Sequence, residues 1–141
     1  RFELIGEKDG VKIFHDYAHH PTEIKACLDA AKQYPHRKLL VLFQCNSYTR
    51  AKTLKEKYAT AFENADIVMM PDIYPGRDVD LGEIHATDVV RLINEHSHNC
   101  IYLPTFEDIK AFLKQTWQPG DILVTLGSGD VASKQMILLE D

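Results

Sequence analysis

A carboxylate and two imidazoles are concentrated in the segment DYAHHP, residues 16–21, directly after a strand-like run. Asp16 or His20 can cap the free N–H groups at the start of a helix. Asp16, His19 and His20 also suggest a zinc site, but adjacent histidines rarely converge on one ion and no later cluster supplies the missing ligands. Helix-start N–H groups favour phosphate, and a carboxylate suits ribose hydroxyls. The residue types therefore leave a helix cap and a nucleotide site open, and they disfavour a metal site.

Gly127 and Gly129 lie in the segment GSGD, after another strand-like run. The segment resembles part of a phosphate-binding loop, but it lacks the third glycine of GxGxxG and the lysine of a P-loop. The sequence contains neither GxxxxGKS nor GxxxxGKT, so the chain by itself cannot present the lysine loop that usually cradles ATP. From spacing alone, a tight turn with a glycine at positive φ is the favoured interpretation.

The segment CNSYTR, residues 45–50, offers a guanidinium and a thiol near a predicted helix start. An arginine in such a strand-end loop can hold a carboxylate through two parallel hydrogen bonds, which makes Arg50 a candidate for binding one. Cys45 is interpreted as a buried structural thiol, because a lone cysteine without an ordered histidine partner does not define a nucleophile.

The spacing of apolar residues predicts the elements that position these groups. RFELI and VKIFHDY flank GEKDG and predict a β-hairpin. Continuous apolar runs predict buried strands, and helical spacing predicts helices that alternate with them. The predicted strands are 38–44, 66–71, 100–104 and 122–127, and the predicted helices are 21–34, 49–62, 87–96 with Thr87 as its N-cap, one that follows a Thr105–Asp108 capping box, and 130–140. A long loop is predicted over 72–86.

This alternation predicts the fold class. We expect an α/β domain with a Rossmann-like, mostly parallel sheet, helices on both faces, and an N-terminal β-hairpin that supplies one antiparallel edge strand. Such folds bind ligands at the carboxyl ends of their parallel strands. DYAHHP, CNSYTR and GSGD all follow predicted strands, so we expect them at that edge of the sheet. The order of the strands is not evident from the sequence.

Composition restricts the class of protein. The chain has 141 residues, of which 45% are hydrophobic and 26% charged, as in one globular domain. A net charge of −5 disfavours nucleic acids and anionic membranes as partners, and no apolar run is long enough to span a bilayer. Three scattered cysteines predict free thiols and a cytoplasmic location. The sequence starts without Met or a signal-like apolar region, which suggests a piece of a longer protein.

Four segments, DYAHHPTEI, FQ…SYTR, DIYPGRD…GEIHATD and TLGSGD, occur in this order. Together they resemble the C-terminal domain of the Mur ligases over essentially the whole chain, residues 1–141. The resemblance implies a fragment of a three-domain enzyme. In that enzyme the N-terminal domain holds a UDP-sugar, the central domain holds the P-loop, ATP and Mg²⁺, and the C-terminal domain closes over both. The lysine loop would then belong to the central domain.

Within this family, the likeness is greatest to members that join L-alanine to UDP-N-acetylmuramate in peptidoglycan precursor synthesis. The resemblance implies that ATP phosphorylates the sugar-linked carboxylate, that the amine of L-alanine attacks the acyl phosphate, and that phosphate leaves. The isolated chain is expected to be inactive, with no catalytic residue that acts on this domain alone. Two alternatives stay open: another Mur-type ligase, such as a tripeptide-recycling or glutamate-adding enzyme, and a non-catalytic nucleotide-binding α/β module.

The resemblance also assigns roles to individual residues. It implies ATP binding by Asp16 and His19, and substrate binding by Tyr17, His19, Asn46, Arg50 and Arg77. It places Gly127 and Gly129 in a turn at the cleft between domains. At the second motif, the common family pattern has proline, histidine and arginine where this chain has Cys45, Asn46 and Ser47.

Overall fold

The computed structural model describes residues 2–141, in which strands and helices alternate after an initial hairpin. The strands are β1 (Glu3–Lys8), β2 (Val11–Asp16), β3 (Leu39–Phe43), β4 (Ile67–Met70), β5 (Cys100–Tyr102) and β6 (Ile122–Leu126). The helices are α1 (Pro21–Lys32), α2 (Tyr48–Tyr58), α3 (Ala86–His96), α4 (Phe106–Thr116) and α5 (Asp130–Lys134), which continues as a 3₁₀ segment (Gln135–Leu139).

The hairpin turn is shorter than the GEKDG segment that predicted it. Asp9 and Gly10 both adopt positive φ angles, 56° and 80°, and connect β1 directly to β2. A two-residue turn of this kind matches the right-handed twist of its strands, and Asp-Gly is one of its preferred sequences. β1 therefore extends to Lys8. The first residue of the predicted strand, Arg1, lies outside the described residues.

Across residues 2–141 the strands form one sheet in the order β1-β2-β6-β3-β4-β5. β1 pairs with β2 antiparallel at the edge, and the remaining neighbours pair parallel. One face packs against α1, α2 and α3, and the other against α4, α5 and the 3₁₀ segment. The predicted fold class is therefore confirmed: a Rossmann-like α/β domain with helices on both faces and one antiparallel edge strand.

Histidines are the N-caps of two helices, His20 of α1 and His85 of α3. Thr87 was predicted as the N-cap of α3, and this is wrong, because the helix begins at Ala86 and His85 is its N-cap. The His85 imidazole accepts from the Thr87 N–H at 3.2 Å, and the Asp88 carboxylate accepts from the His85 N–H at 2.9 Å. Histidine is not among the residues usually preferred at this position, so propensity alone pointed to threonine.

Three predicted helices are shorter than expected, and the first of them, α1, ends at Lys32 instead of residue 34. α2 ends at Tyr58, and the apolar residues that extended its pattern, Ala61 and Phe62, are buried in the turns that follow. Of the predicted helix 130–140, only Asp130–Lys134 is α-helical. The next five residues form the 3₁₀ segment, in which the Gln135 side chain is buried against β6. The Thr105–Asp108 capping box of α4 is confirmed.

Three buried polar side chains, His15, Thr125 and Gln135, form a hydrogen-bonded network beneath the 3₁₀ segment. Thr125 Oγ1 lies 2.6 Å from Gln135 Oε1, to which it donates, and 2.7 Å from His15 Nδ1. Because the hydroxyl proton points to Gln135, His15 must donate from Nδ1, and its Nε2 is left as an unpartnered lone pair. His15 is only 2% exposed, and this burial lowers the pKa of its imidazole below the ordinary 6.5, against the opposing charge of Asp16.

The lowered pKa of His15 predicts acid sensitivity. The unfolded chain takes up a proton below pH 6.5 that the folded chain does not bind, so the free energy of unfolding should fall as the pH drops from 6.5 towards the folded-state pKa. Urea unfolding at several pH values between 7.5 and 5 should show a shallower decline for His15→Gln than for the wild type. His98→Asn alters an exposed histidine instead, and its decline should match the wild type. An unchanged decline in His15→Gln would contradict the assignment.

Helices that could cross a lipid bilayer are absent from residues 2–141: none is both long and apolar enough.

Candidate functional site

The carboxyl ends of β2 to β6 lie at one edge of the sheet, because these strands are parallel. β6 lies between β2 and β3. The helices that follow β2 and β3 pack on one face of the sheet, whereas α5, which follows β6, packs on the other. Connections that leave neighbouring strands towards opposite faces open a crevice, and ligands bind there in folds of this class. The segments after β2, β3 and β6 therefore border the candidate site.

The turn after β2 carries Asp16, Tyr17 and His19. One Asp16 carboxylate oxygen accepts from the Ala18 N–H at 2.9 Å, which tightens the turn. His19 Nδ1 lies 3.1 Å from the Tyr17 carbonyl, to which it donates. His19 Nε2 is consequently the ring nitrogen available to a ligand. The Tyr17 ring is 57% exposed at the same edge.

His20 is a helix cap. Its Nδ1 accepts from the Thr22 N–H at 3.3 Å, and the Glu23 carboxylate accepts from the His20 N–H at 3.2 Å. Hydrogen bonds from the backbone of His20 and His19 hold the pKa of Glu23 below its usual range. The capping interpretation is therefore right for His20, whereas Asp16 and His19 occupy the strand-end turn that precedes the helix.

A groove of about 570 Å³ runs beside this turn. Its polar lining includes Asp16 and His19, and its apolar lining includes Phe2, Ala26, Cys27 and Ala30. Burial, assisted by the nearby Asp16 carboxylate, raises the pKa of the Cys27 thiol to about 12. Cys27 therefore stays protonated and is a wall residue, since only a thiolate is an effective nucleophile.

The turn after β3 has a strained backbone at Ser47, a non-glycine residue with φ 78° and ψ 140°. The Ser47 N–H donates to the Tyr74 carbonyl at 2.7 Å, and Ser47 Oγ accepts from the Arg50 N–H at 3.0 Å, which caps α2. Such conformations cost on the order of 1–3 kcal/mol and persist where surrounding contacts enforce them, often at functional sites. These two bonds fix the direction in which the chain enters α2.

Arg50 lies in the first turn of α2 and is half-buried. Among residues 2–141, no side chain or carbonyl accepts from its guanidinium within hydrogen-bond distance, so its five donors remain available to a ligand. Tyr58, at the other end of the helix, donates from its hydroxyl to the His19 carbonyl at 3.0 Å. This bond ties α2 to the turn that carries Asp16 and His19.

Cys45, next to this turn, is buried and its thiol is free. Burial raises the pKa of Cys45 far above the ordinary range for a thiol. The predicted burial of Cys45 is confirmed, and such burial is typical of a structural cysteine.

The long loop predicted over 72–86 is present as residues 71–85, between β4 and α3. The Asp78 carboxylate accepts from the Thr49 N–H at 2.9 Å, which lowers the pKa of Asp78 and attaches the loop to α2. The Asp72 carboxylate accepts from the Tyr102 hydroxyl and raises the pKa of Tyr102 to about 12. Arg77 is exposed on this loop, and none of the described residues pairs with it.

The Gly127 and Gly129 turn is as tight as the sequence indicated, with φ angles of 121° and 73°. The Gly127 N–H donates to the Asp16 carbonyl at 3.1 Å, which brings the turn beside the segment after β2. A Cβ atom at Gly129 would lie 2.6 Å from the Tyr74 ring, and one at Gly127 would lie 3.2 Å from the Gln44 carbonyl. Both positions therefore require glycine for conformation and for close approach.

Contacts at this edge also involve residues that sequence reasoning missed. Ser128 Oγ accepts from Asn46 Nδ2 at 2.8 Å, and Tyr74 covers the glycine turn. Gln44 is buried, donates from Nε2 to the Asp72 carbonyl at 2.9 Å, and lines a second cavity of about 530 Å³ on the α4 and α5 side. The position of Gln44 directly after a buried strand was the available signal for its role, whereas nothing local marked Tyr74.

Except for Arg77, the predicted site residues lie at the ends of β2, β3 and β6 or in the segments that follow these strands. Asp16, His19, Asn46 and the glycine turn are joined by direct or shared contacts at the carboxyl edge. Arg77 has no described contact with any of them. Across residues 2–141, no group of three or more His, Cys, Asp or Glu side chains is arranged to hold a metal ion.

Comparison with known proteins identifies the family of this chain. The sequence matches the family described as Mur ligase, glutamate ligase domain, over residues 1–129. The chain therefore belongs to the Mur ligase family.

Individual relatives narrow the comparison. The UDP-N-acetylmuramate–L-alanine ligase of Clostridium novyi is 44% identical over 140 residues, which are 99% of this chain and 31% of that protein. A murein peptide ligase from Psychrobacter arcticus superposes with a TM-score of 0.79 at 25% identity, over 97% of this chain and 28% of that one. The UDP-N-acetylmuramate–alanine ligase of Thermotoga maritima superposes with a TM-score of 0.75 at 19% identity, over 99% and 29% respectively, which supports the fold. The chain thus spans about a third of the length of these relatives.

Proposed function

We propose that this chain is the C-terminal domain of an ATP-dependent ligase that joins L-alanine to UDP-N-acetylmuramate. The observation that carries the proposal is the 44% identity to a ligase of that name across 99% of the chain. In the proposed enzyme, residues 1–141 form one of three domains. The other two would hold the UDP-sugar and the P-loop with ATP and Mg²⁺.

Asp16 and His19 are proposed to bind the nucleotide. They line a groove together with apolar side chains, and this combination suits a ribose beside a flat, weakly polar base. The Asp16 carboxylate would accept hydrogen bonds from ribose hydroxyls, and His19 Nε2 would face the polar part of the cleft. ATP would supply the phosphoryl group that activates the sugar-linked carboxylate as an acyl phosphate.

Arg50 is proposed to hold the carboxylate of L-alanine. Its guanidinium is half-buried and has no hydrogen-bond acceptor among residues 2–141. Its planar set of N–H donors matches a carboxylate in both geometry and charge. Tyr17, His19, Asn46 and Arg77 complete the proposed substrate side, either in contact with the amino acid or by lining the cleft. Closure of this edge over the other domains would exclude water from the acyl phosphate, which water would otherwise hydrolyse.

Turnover by the full-length protein tests the proposal. We expect ATP-dependent ligation of L-alanine to UDP-N-acetylmuramate, no ligation of D-glutamate, and none by residues 1–141 alone. Ligation of a cell-wall tripeptide with no reaction of L-alanine would instead support a peptide ligase, the class favoured by the superposition on the murein peptide ligase. Ligation by the isolated chain, or none by the full-length protein with any of these acceptors, would contradict the proposal.

A further inference from the structure

The amide of Asn46 is used within the protein. Asn46 Nδ2 donates to Ser128 Oγ at 2.8 Å. This hydrogen bond joins the turn after β3 to the turn after β6, across the crevice at which the chain changes faces of the sheet. Asn46 is only partly exposed, and this bond takes one of the two N–H donors of its amide.

The Tyr74 backbone supports the same junction. Its N–H donates to the Cys45 carbonyl at 2.9 Å, and its carbonyl accepts from the Ser47 N–H at 2.7 Å, so Asn46 is held between two bonds to a single residue. The Tyr74 ring covers Gly129 closely enough that a Cβ atom there would lie 2.6 Å away. The glycine turn is consequently clamped by Asn46 at Ser128 and by Tyr74 at Gly129.

Movement of Asn46 would be transmitted to Arg50. Ser47 follows Asn46 directly and has the strained φ of 78°. Its hydroxyl accepts from the Arg50 N–H at 3.0 Å. A shift of the turn after β3 therefore alters the cap of α2 and with it the first turn that carries the Arg50 guanidinium.

We propose that Asn46 is a positioning residue for amino-acid binding, which acts through its hydrogen bond to Ser128 and not by touching the amino acid. The bond holds the glycine turn and the turn after β3 in one arrangement. The Arg50 guanidinium is therefore oriented for a carboxylate before the substrate binds. This inference rests on the proposed function, because it concerns the amino-acid substrate of the same site.

A double-mutant cycle in the full-length ligase tests the inference. Asn46→Ala and Ser128→Ala should each raise KM for L-alanine about 3- to 10-fold, the value of one hydrogen bond in an equilibrium. The double variant should raise it no further, because both substitutions remove the same bond. KM for ATP, kcat and the melting temperature should stay close to the wild type. Asn64→Ala, which removes an amide bonded to Asp29 on another part of the surface, is the matched control.

The pattern of outcomes separates the inference from its alternatives. A raised KM in Asn46→Ala with an unchanged KM in Ser128→Ala would overturn it and make Asn46 a direct substrate contact. Additive effects, or no effect of either substitution, would also overturn it. If the wild-type ligase does not use L-alanine at all, the proposed function fails, and the same variants assayed with the amino acid it does use still decide the role of Asn46.

Discussion

Replacing Asp121 with alanine is expected to lower the free energy of unfolding by about 2–4 kcal/mol. Asp121 lies just before β6 and is 1% exposed. Its carboxylate accepts from Arg37 at 2.7 and 3.1 Å, from the Lys38 N–H at 3.2 Å and from the Gln118 N–H at 2.9 Å. Removal of one side chain thus leaves several donors without an acceptor. Urea unfolding of the chain measures the loss.

The backbone donors account for most of this expected loss. The Arg37 side chain is 38% exposed and flexible, so its guanidinium can turn to water once Asp121 is gone, whereas the Lys38 and Gln118 N–H groups are fixed by the backbone and point at the position of the buried carboxylate. Arg37→Gln should therefore cost clearly less than Asp121→Ala, and Asp121→Asn, which keeps one acceptor oxygen, should fall between them. Equal losses for Arg37→Gln and Asp121→Ala would contradict this account and assign the stability to the ion pair.

Replacing Arg50 with glutamine in the full-length ligase is expected to raise KM for L-alanine about 10- to 100-fold. Removing a charged partner from a carboxylate costs about 1.5–3 kcal/mol, which corresponds to this range. The fold should tolerate the change, because Ser47 caps α2 through the Arg50 backbone N–H and not through its side chain. Steady-state kinetics with varied L-alanine at saturating ATP measures the effect, and a melting curve checks the fold.

Two further variants sharpen the Arg50 test. Arg50→Lys keeps the charge but loses the planar fork, so its KM should lie between those of the wild type and Arg50→Gln. Arg91→Gln removes an exposed arginine that pairs with Glu95 on α3, and it should leave KM unchanged. A rise in KM for ATP without a rise for L-alanine would assign Arg50 to the nucleotide and contradict the proposed role.

The amino-acid sequence determined the features that depend on neighbours along the chain. Asp9 and Gly10 specify their two-residue turn because both tolerate positive φ. The apolar runs at β3, β4 and β6 predicted strands buried on both faces, because side chains there meet helices above and below the sheet. GSGD indicated a tight glycine turn, and DYAHHP indicated polar groups at a strand end, for equally local reasons.

The tertiary structure alone decided how those pieces meet. Strand order depends on pairings between distant segments, and the insertion of β6 between β2 and β3 brings Gly127 to Asp16 and Ser128 to Asn46. The N-cap at His85 and the burial of the Gln135 side chain likewise depend on tertiary packing, which local propensity does not encode. Tyr74 lies in a loop without periodicity, and its contact with Gly129 exists only because parallel strands end at one edge. Sequence thus specified the chemistry at the strand ends, and the non-local pairing of strands decided which of those groups share a site.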